Sequence, residues 1–384
     1  MIINQLQKNI PNGWQLTKLT DVGVFSKGAE ISKEQLSESG HNAIRYGELY
    51  TRHNIKVDKI YSFISDEIIP LTKKIKYGDI LFAGSGETND EIGKSATYLL
   101  KEDCYAGGDV IIFRPNNANS LFLAYFLNFG EGRKKLRELG QGQSIVHIYK
   151  SDMEEIKLHL PSLPEQNRIV SVLETWDKAI ENLNKKIEIK KQIKKGLIQN
   201  LLTGNEVVKL GDICDIKTGK KDVNEGNPDG KYPFFTCAKD NTYSDNYSFD
   251  TEAILIAGNG EVGNCLYYNG KFEAYQRTYV LSNFKKEVMY VFPYLKYFFQ
   301  NQINSQKQMG AMPYIKLGML KNFEIKIPKD SKEQKKIANI LTTTDKEITE
   351  LEKKLSIIKN QKKFLLNNLI TGAIRTPESM KIQT

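Results

Sequence analysis

Two stretches of this chain place apolar residues at alternating steps of three and four. In the first they fall at Ile169, Leu173, Trp176, Ile180, Leu183 and Ile187; in the second at Ile337, Leu341, Thr344, Ile348, Leu351, Leu355 and Ile358. Such spacing keeps one stripe on one side of a helix, as in the seam of a coiled coil. A lysine stands in each stripe, Lys194 and Lys362, and Leu197, Leu201, Leu365 and Leu369 then resume it. Each stretch opens with a capping-box pattern, Ser162 three residues before Glu165 and Asp330 three before Glu333, in which side chain and backbone satisfy first-turn amides reciprocally. Each stops at Thr-Gly, Thr203-Gly204 and Thr371-Gly372, glycine being the usual residue past a helix end. About 37 residues make a helix ~55 Å long. A domain of ~125–150 residues, nearer 35–40 Å across, cannot cover it, so the two helices are expected to cover each other.

The remaining chain has a different rhythm. Alternating runs such as FEIKIP and TYVLSNF, set among Gly, Asn, Tyr and Phe, predict short strands and turns. A helical piece near 120–139 has its expected partner near 292–308. The pattern is written twice. From Glu165 and Glu333 onward the two helical stretches align without a gap, with about half the positions identical. Upstream, residues 144–161 parallel 312–328, ILFAGSGETNDEIG (80–93) parallels ILIAGNGEVG (254–263), and LTDVGVFSKG (19–28) parallels LGDICDIKTG (210–219). The expected architecture is α+β: two similar mixed α/β domains, 1–160 and 205–328, joined by two long helices, 161–204 and 329–376, with a tail at 377–384. If the helices pair, the second must run back along the first. The result is an antiparallel coiled coil with a pseudo-two-fold axis, and a ruler between two domains.

Composition narrows the partners. The formal charge of +9 favours a polyanion. Lysines crowd the helices at 185, 186, 190, 191, 194 and 195, and again at 353, 354, 359, 362 and 363; they read either as a solvated face or as a surface toward DNA phosphates. Cys104, Cys214, Cys237 and Cys265 form no C-x-x-C pair and histidines number only four, so neither zinc nor a disulfide framework is expected. No signal-peptide pattern opens the chain and no apolar run reaches membrane-spanning length, so a cytoplasmic location away from any membrane is expected. Gly258-x-Gly260-x-x-Gly263 matches a dinucleotide fingerprint, but NCLYYNGKF follows as strand and turn where a helix is required. Glu155-Ile-Lys157 and Glu324-Ile-Lys326 resemble a nuclease triplet, yet they fall at non-equivalent repeat positions on alternating strands. Asn227-Pro228-Asp229-Gly230 is a turn by composition, and no Gly-Lys-Ser/Thr phosphate loop is present. No catalytic site is expected.

Two diverged halves, each ending in P-x-x-x-E-Q (one residue longer in the second copy), a long helix and L-[LI]-T-G, resemble type I restriction-modification specificity subunits. The strings LPSLPEQNRIV, KKGLIQNLLTG and FLLNNLITGAIR carry the likeness best, helped by KYPFF, EAILIAGNGEVG and GKFEAYQRTYVL, and it covers nearly the whole chain. The resemblance implies that each globular domain recognises one half of a split double-stranded DNA target while the helices fix the spacing. Readers ~50 Å apart would sit about one and a half turns of DNA apart, a turn being ~34–36 Å. It further implies two N6-adenine methyltransferase subunits docked on the helices and a restriction-translocase subunit, with S-adenosylmethionine, ATP and Mg held by those partners and none by this chain. Base-contacting residues do not carry over from the family. Chemistry and repeat position suggest the equivalent loops Gly84-Ser85-Gly86 and Gly258-Asn259-Gly260, then Gln276 and Arg277, suited to adenine and guanine edges. Gln143, Ser144 and Lys150, matched by the segment with Lys316, and Arg45, Tyr46 and Lys239 complete the candidates. Two other readings remain open, a specificity subunit for a related methyltransferase-nuclease and a coiled-coil interaction protein that binds no DNA.

Overall fold

The computed structural model describes residues 10–29, 31–142, 145–307 and 314–382, with the backbone course alone for 305–307. The chain forms two compact units: residues 1–181 with 356–384, and residues 182–355. Each unit therefore contains one globular domain and a stretch of both long helices, Leu163–Leu201 and Ser331–Ile370.

The repeat is visible in the sheets. In the first unit a five-stranded sheet runs Gly23–Lys27, Val110–Pro115, Ile80–Ala83, Ser95–Tyr98, Lys56–Val57. In the second, a six-stranded sheet runs Asp215–Thr218, Thr278–Ser282, Phe249–Ala257, Cys265–Ala274, Tyr232–Phe235, Thr242–Ser244. The first four strands in each order are the same members of the repeat, and the expected parallels at 19–28 and 80–93 fall on equivalent strands. The first unit adds a second five-stranded sheet, Leu36–Ser37, Ser62–Ile64, His41–Ile44, Cys104–Ala106, Lys73–Ile75.

Each domain is closed by the same antiparallel pair: its opening strand lies against the strand that leads into the long helix. Gln15–Lys18 pairs with Lys157–Leu160, and Glu206–Lys209 with Glu324–Ile327. The alternation read in FEIKIP is realised here, with Ile325 and Ile327 buried and Glu324 and Lys326 exposed. Lys157 faces Lys18 while Glu324 faces Lys209, so the two Glu-Ile-Lys triplets are out of step by two residues. Glu155 is tied to Lys18 at 2.8 Å.

The long helices are part of these cores. Ile169, Val170 and Leu173 from the first and Leu366, Leu369 and Ile370 from the second pack with Phe122, Leu123 and Phe126 of the helix Ser120–Asn128. In the second unit Ile198 and Leu202 join Ile337 and Leu341 against Tyr290, Val291, Leu295 and Phe299. Each such side chain contributes roughly 1.5–3 kcal/mol when fully buried. The stripe residues Ile169, Leu173, Ile187, Ile337, Leu341, Thr344 and Ile348 are buried, and Trp176, Ile180, Leu183, Leu351, Leu355 and Ile358 half-buried.

Ion pairs set the direction of the two helices inside each unit. In the first, Glu165 meets Arg375, beyond the second helix's end, and Asp177 meets Lys362. In the second, Lys190 meets Glu347, Lys191 meets Glu352 and Lys194 meets Asp345. An early residue of one helix meets a late residue of the other, so the pairing is antiparallel in both. The lysines that interrupt the stripes thereby find equivalent aspartates, Lys362 with Asp177 and Lys194 with Asp345. The Tyr125 hydroxyl also donates to Asp177 at 2.7 Å. Burial first, then this carboxylate, pushes the Tyr125 phenol far above its ordinary value.

The repeated Glu-Gln motif has a mechanical role. Gln166 accepts from the Asn119 amide and donates to the Pro161 carbonyl, both at 2.9 Å. Gln334 repeats this with the Glu287 amide at 3.2 Å and the Pro328 carbonyl at 2.7 Å. Each glutamine pins the start of a short helix to the start of a long one.

Two local expectations change. The first capping box does not form, because Arg375 takes both Glu165 carboxylate oxygens, at 2.5 and 2.7 Å. In the second copy only half of it forms: Asp330 accepts from the Lys332 amide at 2.9 Å, and Glu333 stays exposed. The partner of the helical piece 120–139 begins at Val288 rather than near 292, since Glu287 takes the place of Asn119. Pro293 within that helix and a wider π-type turn at Leu295–Phe299 hide its periodicity.

Candidate nucleic-acid interface

Four loops meet at one edge of each unit, and the same backbone bonds hold them. In the first unit the Gly84 amide donates to the Asp109 carbonyl at 2.7 Å, and the Gly84 carbonyl accepts from the Ile148 amide at 3.0 Å. In the second, Gly258 donates to the Arg277 carbonyl at 2.9 Å and accepts from Ile315 at 3.0 Å. A Cβ on Gly84 would come within 2.6 Å of the Asp109 oxygen, and one on Gly258 within 2.5 Å of the Arg277 oxygen. Only glycine fits either place. The close approach that these glycines allow is thus to the chain's own backbone.

The fourth loop is held in the same way. Gly107 donates to the Ile44 carbonyl at 2.8 Å, just before Arg45 and Tyr46; Tyr275 donates to Phe235 at 3.0 Å, just before Thr236 and Cys237. These bonds give the position-by-position match. Gly107, Gly108 and Asp109 correspond to Tyr275, Gln276 and Arg277; Ser85 corresponds to Asn259, His147 to Tyr314 and Tyr149 to Lys316.

On this common frame the side chains differ. Ser85 is 2% exposed, and its hydroxyl lies 2.7 Å from Asp109 Oδ2 and 2.8 Å from His147 Nδ1. Lys27 closes the series at 3.1 Å from Asp109 Oδ1. Burial raises the Asp109 carboxyl, but the Ser85 and Lys27 contacts outweigh it and hold the group below its ordinary value. Although Ser, His and Asp are together, the serine sits between the other two, so the carboxylate holds the hydroxyl and not the imidazole, unlike the order of a nucleophile–base–carboxylate triad.

The second unit has more open cations. Arg277 and Lys239 are exposed, and neither side chain has a partner among the described residues. Gln276 is exposed and donates to Asp222 at 3.2 Å. Asn259 Oδ1 is buried without a hydrogen-bond partner. Lys316 lies 5.4 Å from the ring centroid of Tyr314, itself 59% exposed.

The candidates therefore converge in two sets. Arg45, Tyr46, Gly84, Ser85, Gly86 and Lys150 lie on the loops of the first unit, and Lys239, Asn259, Gln276, Arg277 and Lys316 on those of the second. Gln143 and Ser144 lie outside the described residues. One match shifts: Lys316 is the cap of the helix Leu317–Lys321, as Tyr149 is of Lys150–Glu154, so the counterpart of Lys150 is Leu317. Lys150 is engaged with Glu154 at 3.0 Å. Lys27, Asp109, His147, Tyr149 and Tyr314 were missed. The repeat would have flagged Lys27, next to last in LTDVGVFSKG; His147, Tyr149 and Tyr314 adjoin segments already named, and Asp109 is found only as the counterpart of Arg277.

The glycine fingerprint at 258–263 joins two antiparallel strands, with no helix after it. Among the described residues no helix is long and apolar enough to cross a membrane, and no cluster of three metal-ligating side chains occurs.

Comparison with known proteins adds the family. The Escherichia coli EcoDI specificity subunit is 31% identical over 175 aligned residues, covering 44% of this chain and 38% of that protein. The Methanocaldococcus jannaschii MjaVIII specificity subunit is 26% identical over 424 aligned positions, covering 95% and 94%. A crystal structure of the type I restriction-modification S subunit from M. genitalium superposes with a TM-score of 0.64 at 20% identity, covering 94% of this chain and 97% of that one, which establishes the shared fold. The model of the type I restriction modification DNA specificity domain matches residues 11–191 and again 203–360, and the chain belongs to that family.

Proposed function

We propose that this chain is a non-catalytic reader of a bipartite DNA target, one half-site per unit, serving a type I restriction-modification enzyme. The observation that carries this reading is the pairing of an equivalently hydrogen-bonded backbone frame with different tips: Asp109 against Arg277, Gly108 against Gln276, His147 against Tyr314. Two half-sites of different sequence call for one scaffold and two sets of donors and acceptors. An arginine pairs best with guanine O6 and N7, and a glutamine with adenine N6 and N7, each worth ~1–3 kcal/mol of discrimination. Arg45, Lys239 and Lys316 would add contacts of the kind that position a protein on phosphates.

The spacer belongs to the same proposal. The two long helices run antiparallel as a ruler between the readers, a reading supported by the ion-pair direction within each unit. Two methyltransferase subunits and a restriction-translocase subunit bring S-adenosylmethionine, ATP and Mg, and this chain holds none of them. A related methyltransferase-nuclease assembly would use the same reader, and the proteins that co-purify decide between the two.

A base-resolution map of N6-methyladenine in host DNA, with the gene intact and deleted, tests the reading. A split motif that disappears on deletion is expected. If the motif is undivided, or persists without the gene, two-unit reading fails. Inserting one heptad into both helices should lengthen the spacer and leave both half-sites alone; altered half-sites would sink the ruler.

A further inference from the structure

The hydrogen-bond series in the first unit fixes which proton His147 carries. Asp109 accepts on both oxygens, from Lys27 at 3.1 Å and from Ser85 at 2.7 Å. A carboxylate has no proton to give, so the single Ser85 hydroxyl proton points to Asp109. The Ser85 oxygen then has only lone pairs for His147 Nδ1, 2.8 Å away. Nδ1 must be the N–H donor. In the neutral ring Nε2 is left as an acceptor, with no partner among the described residues, on a residue that is half-buried. In sequence His147 is flanked two positions away by Ile145, 56% exposed, and Tyr149, 53% exposed.

An acceptor there selects its partner. Phosphate oxygens carry no donor, so a neutral imidazole with Nδ1–H engaged cannot bind the backbone of DNA through Nε2. In the major groove the donors are the amino groups of adenine N6 and cytosine N4. We propose that His147 is a specificity-determining residue of the first unit, reading an exocyclic amino group of adenine or cytosine, and that Ser85 and Asp109 are positioning residues that set its tautomer. The proposal rests on the half-site reading above and adds to it a residue and a base class.

Asp109→Asn makes the tautomer testable. Lys27 is purely a donor, so the new amide should turn its oxygen to Lys27 and its NH2 to Ser85. Ser85 then accepts from Asn and donates to His147 Nδ1, which moves the ring proton to Nε2. The tip changes from acceptor to donor. Asp109 has φ +57°, a region that asparagine also tolerates, so the backbone should not object.

The experiment uses the full chain with its co-purified methyltransferase subunit, selecting from a randomised duplex library and reading base preference position by position. Wild type should prefer adenine or cytosine at one position of one half-site. His147→Ala should flatten that preference by about ten- to hundredfold, with the other half-site unchanged. Asp109→Asn should move it to guanine or thymine, whose O6 and O4 accept, and Ser85→Ala should blur it while binding to unrelated DNA persists. Thermal melting of each variant guards against misfolding. If wild type selects no split sequence, the half-site reading itself fails. If wild type selects one and neither His147→Ala nor Asp109→Asn alters any single position, or both weaken all positions alike, only the His147 assignment falls.

Discussion

Gln166→Ala is the perturbation that most directly tests how each domain is fastened to its helix. The Gln166 side chain is 3% exposed and makes two hydrogen bonds of 2.9 Å, one in each direction. Alanine would strand the Asn119 amide at the head of the helix Ser120–Asn128 and the Pro161 carbonyl at the head of the long helix. A buried polar group left unpaired costs ~1–3 kcal/mol, so stranding two should cost about 2–6 kcal/mol, a large part of the ~5–15 kcal/mol typical of a domain. Gln166→Glu keeps an acceptor for Asn119 but has no donor for Pro161, and it sets a carboxylate against that carbonyl. It should be no milder than alanine. Urea denaturation followed by circular dichroism gives the stability, and hydrogen exchange at the Asn119 amide gives the local effect. A change within ~0.5 kcal/mol, with the Asn119 amide still protected, would refute the clamp.

Burial pushes the thiols of Cys104, Cys214 and Cys265 up to about 12, so a thiol-specific reagent at neutral pH should leave them unmodified in the folded chain and label them in urea; fast labelling of the native protein would contradict this packing. Asp109 has a lowered folded value, so its contribution is full above the ordinary aspartate value of ~3.9 and fades as pH falls through the lower native one. Asp109→Asn should accordingly weaken the acid dependence of the urea midpoint below about pH 5; an unchanged slope would count against the Ser85 and Lys27 contacts. Arg277→Ala should relax one base position by ~1–3 kcal/mol in a library selection; a uniform loss at every position would instead make Arg277 a phosphate contact.

The parts of this fold that were readable share a property: their signal is local and periodic. Ile169, Leu173, Ile337 and Leu341 are buried as their three-four spacing implies, because a helix imposes that period. Gly84 and Gly258 could be paired because the repeat aligns them, although their reason for being glycine, a carbonyl within 2.6 Å, is not written nearby. What was unreadable depends on distant residues. Ser85 meets Asp109 and His147 across 24 and 62 positions, and Arg375 reaches back 210 positions to Glu165 and displaces the expected capping box. That the first unit takes in residues 356–384 follows, by contrast, from the antiparallel return expected of the second helix.

Backbone bonds explain how one frame can carry two different sets of side chains. The Gly84–Asp109 and Gly258–Arg277 contacts run through amide and carbonyl, so they hold with any side chain beyond them. That freedom has a limit at position 109. Asp109 sits at φ +57°, and among the described residues Asn283 is the only other non-glycine with positive φ, so Arg277 follows a different local course. A bare Asp109→Arg exchange would put a bulky side chain in a strained conformation and set a second cation toward Lys27, whose counterpart in the second unit is Thr218. A functional transfer of recognition between the units should therefore need the whole loop 275–278 in place of 107–110, together with Lys27→Thr. The single exchange should lose stability without gaining the base preference of the second unit, and library selection with both designs separates a frame that is free at each position from one that changes loop by loop.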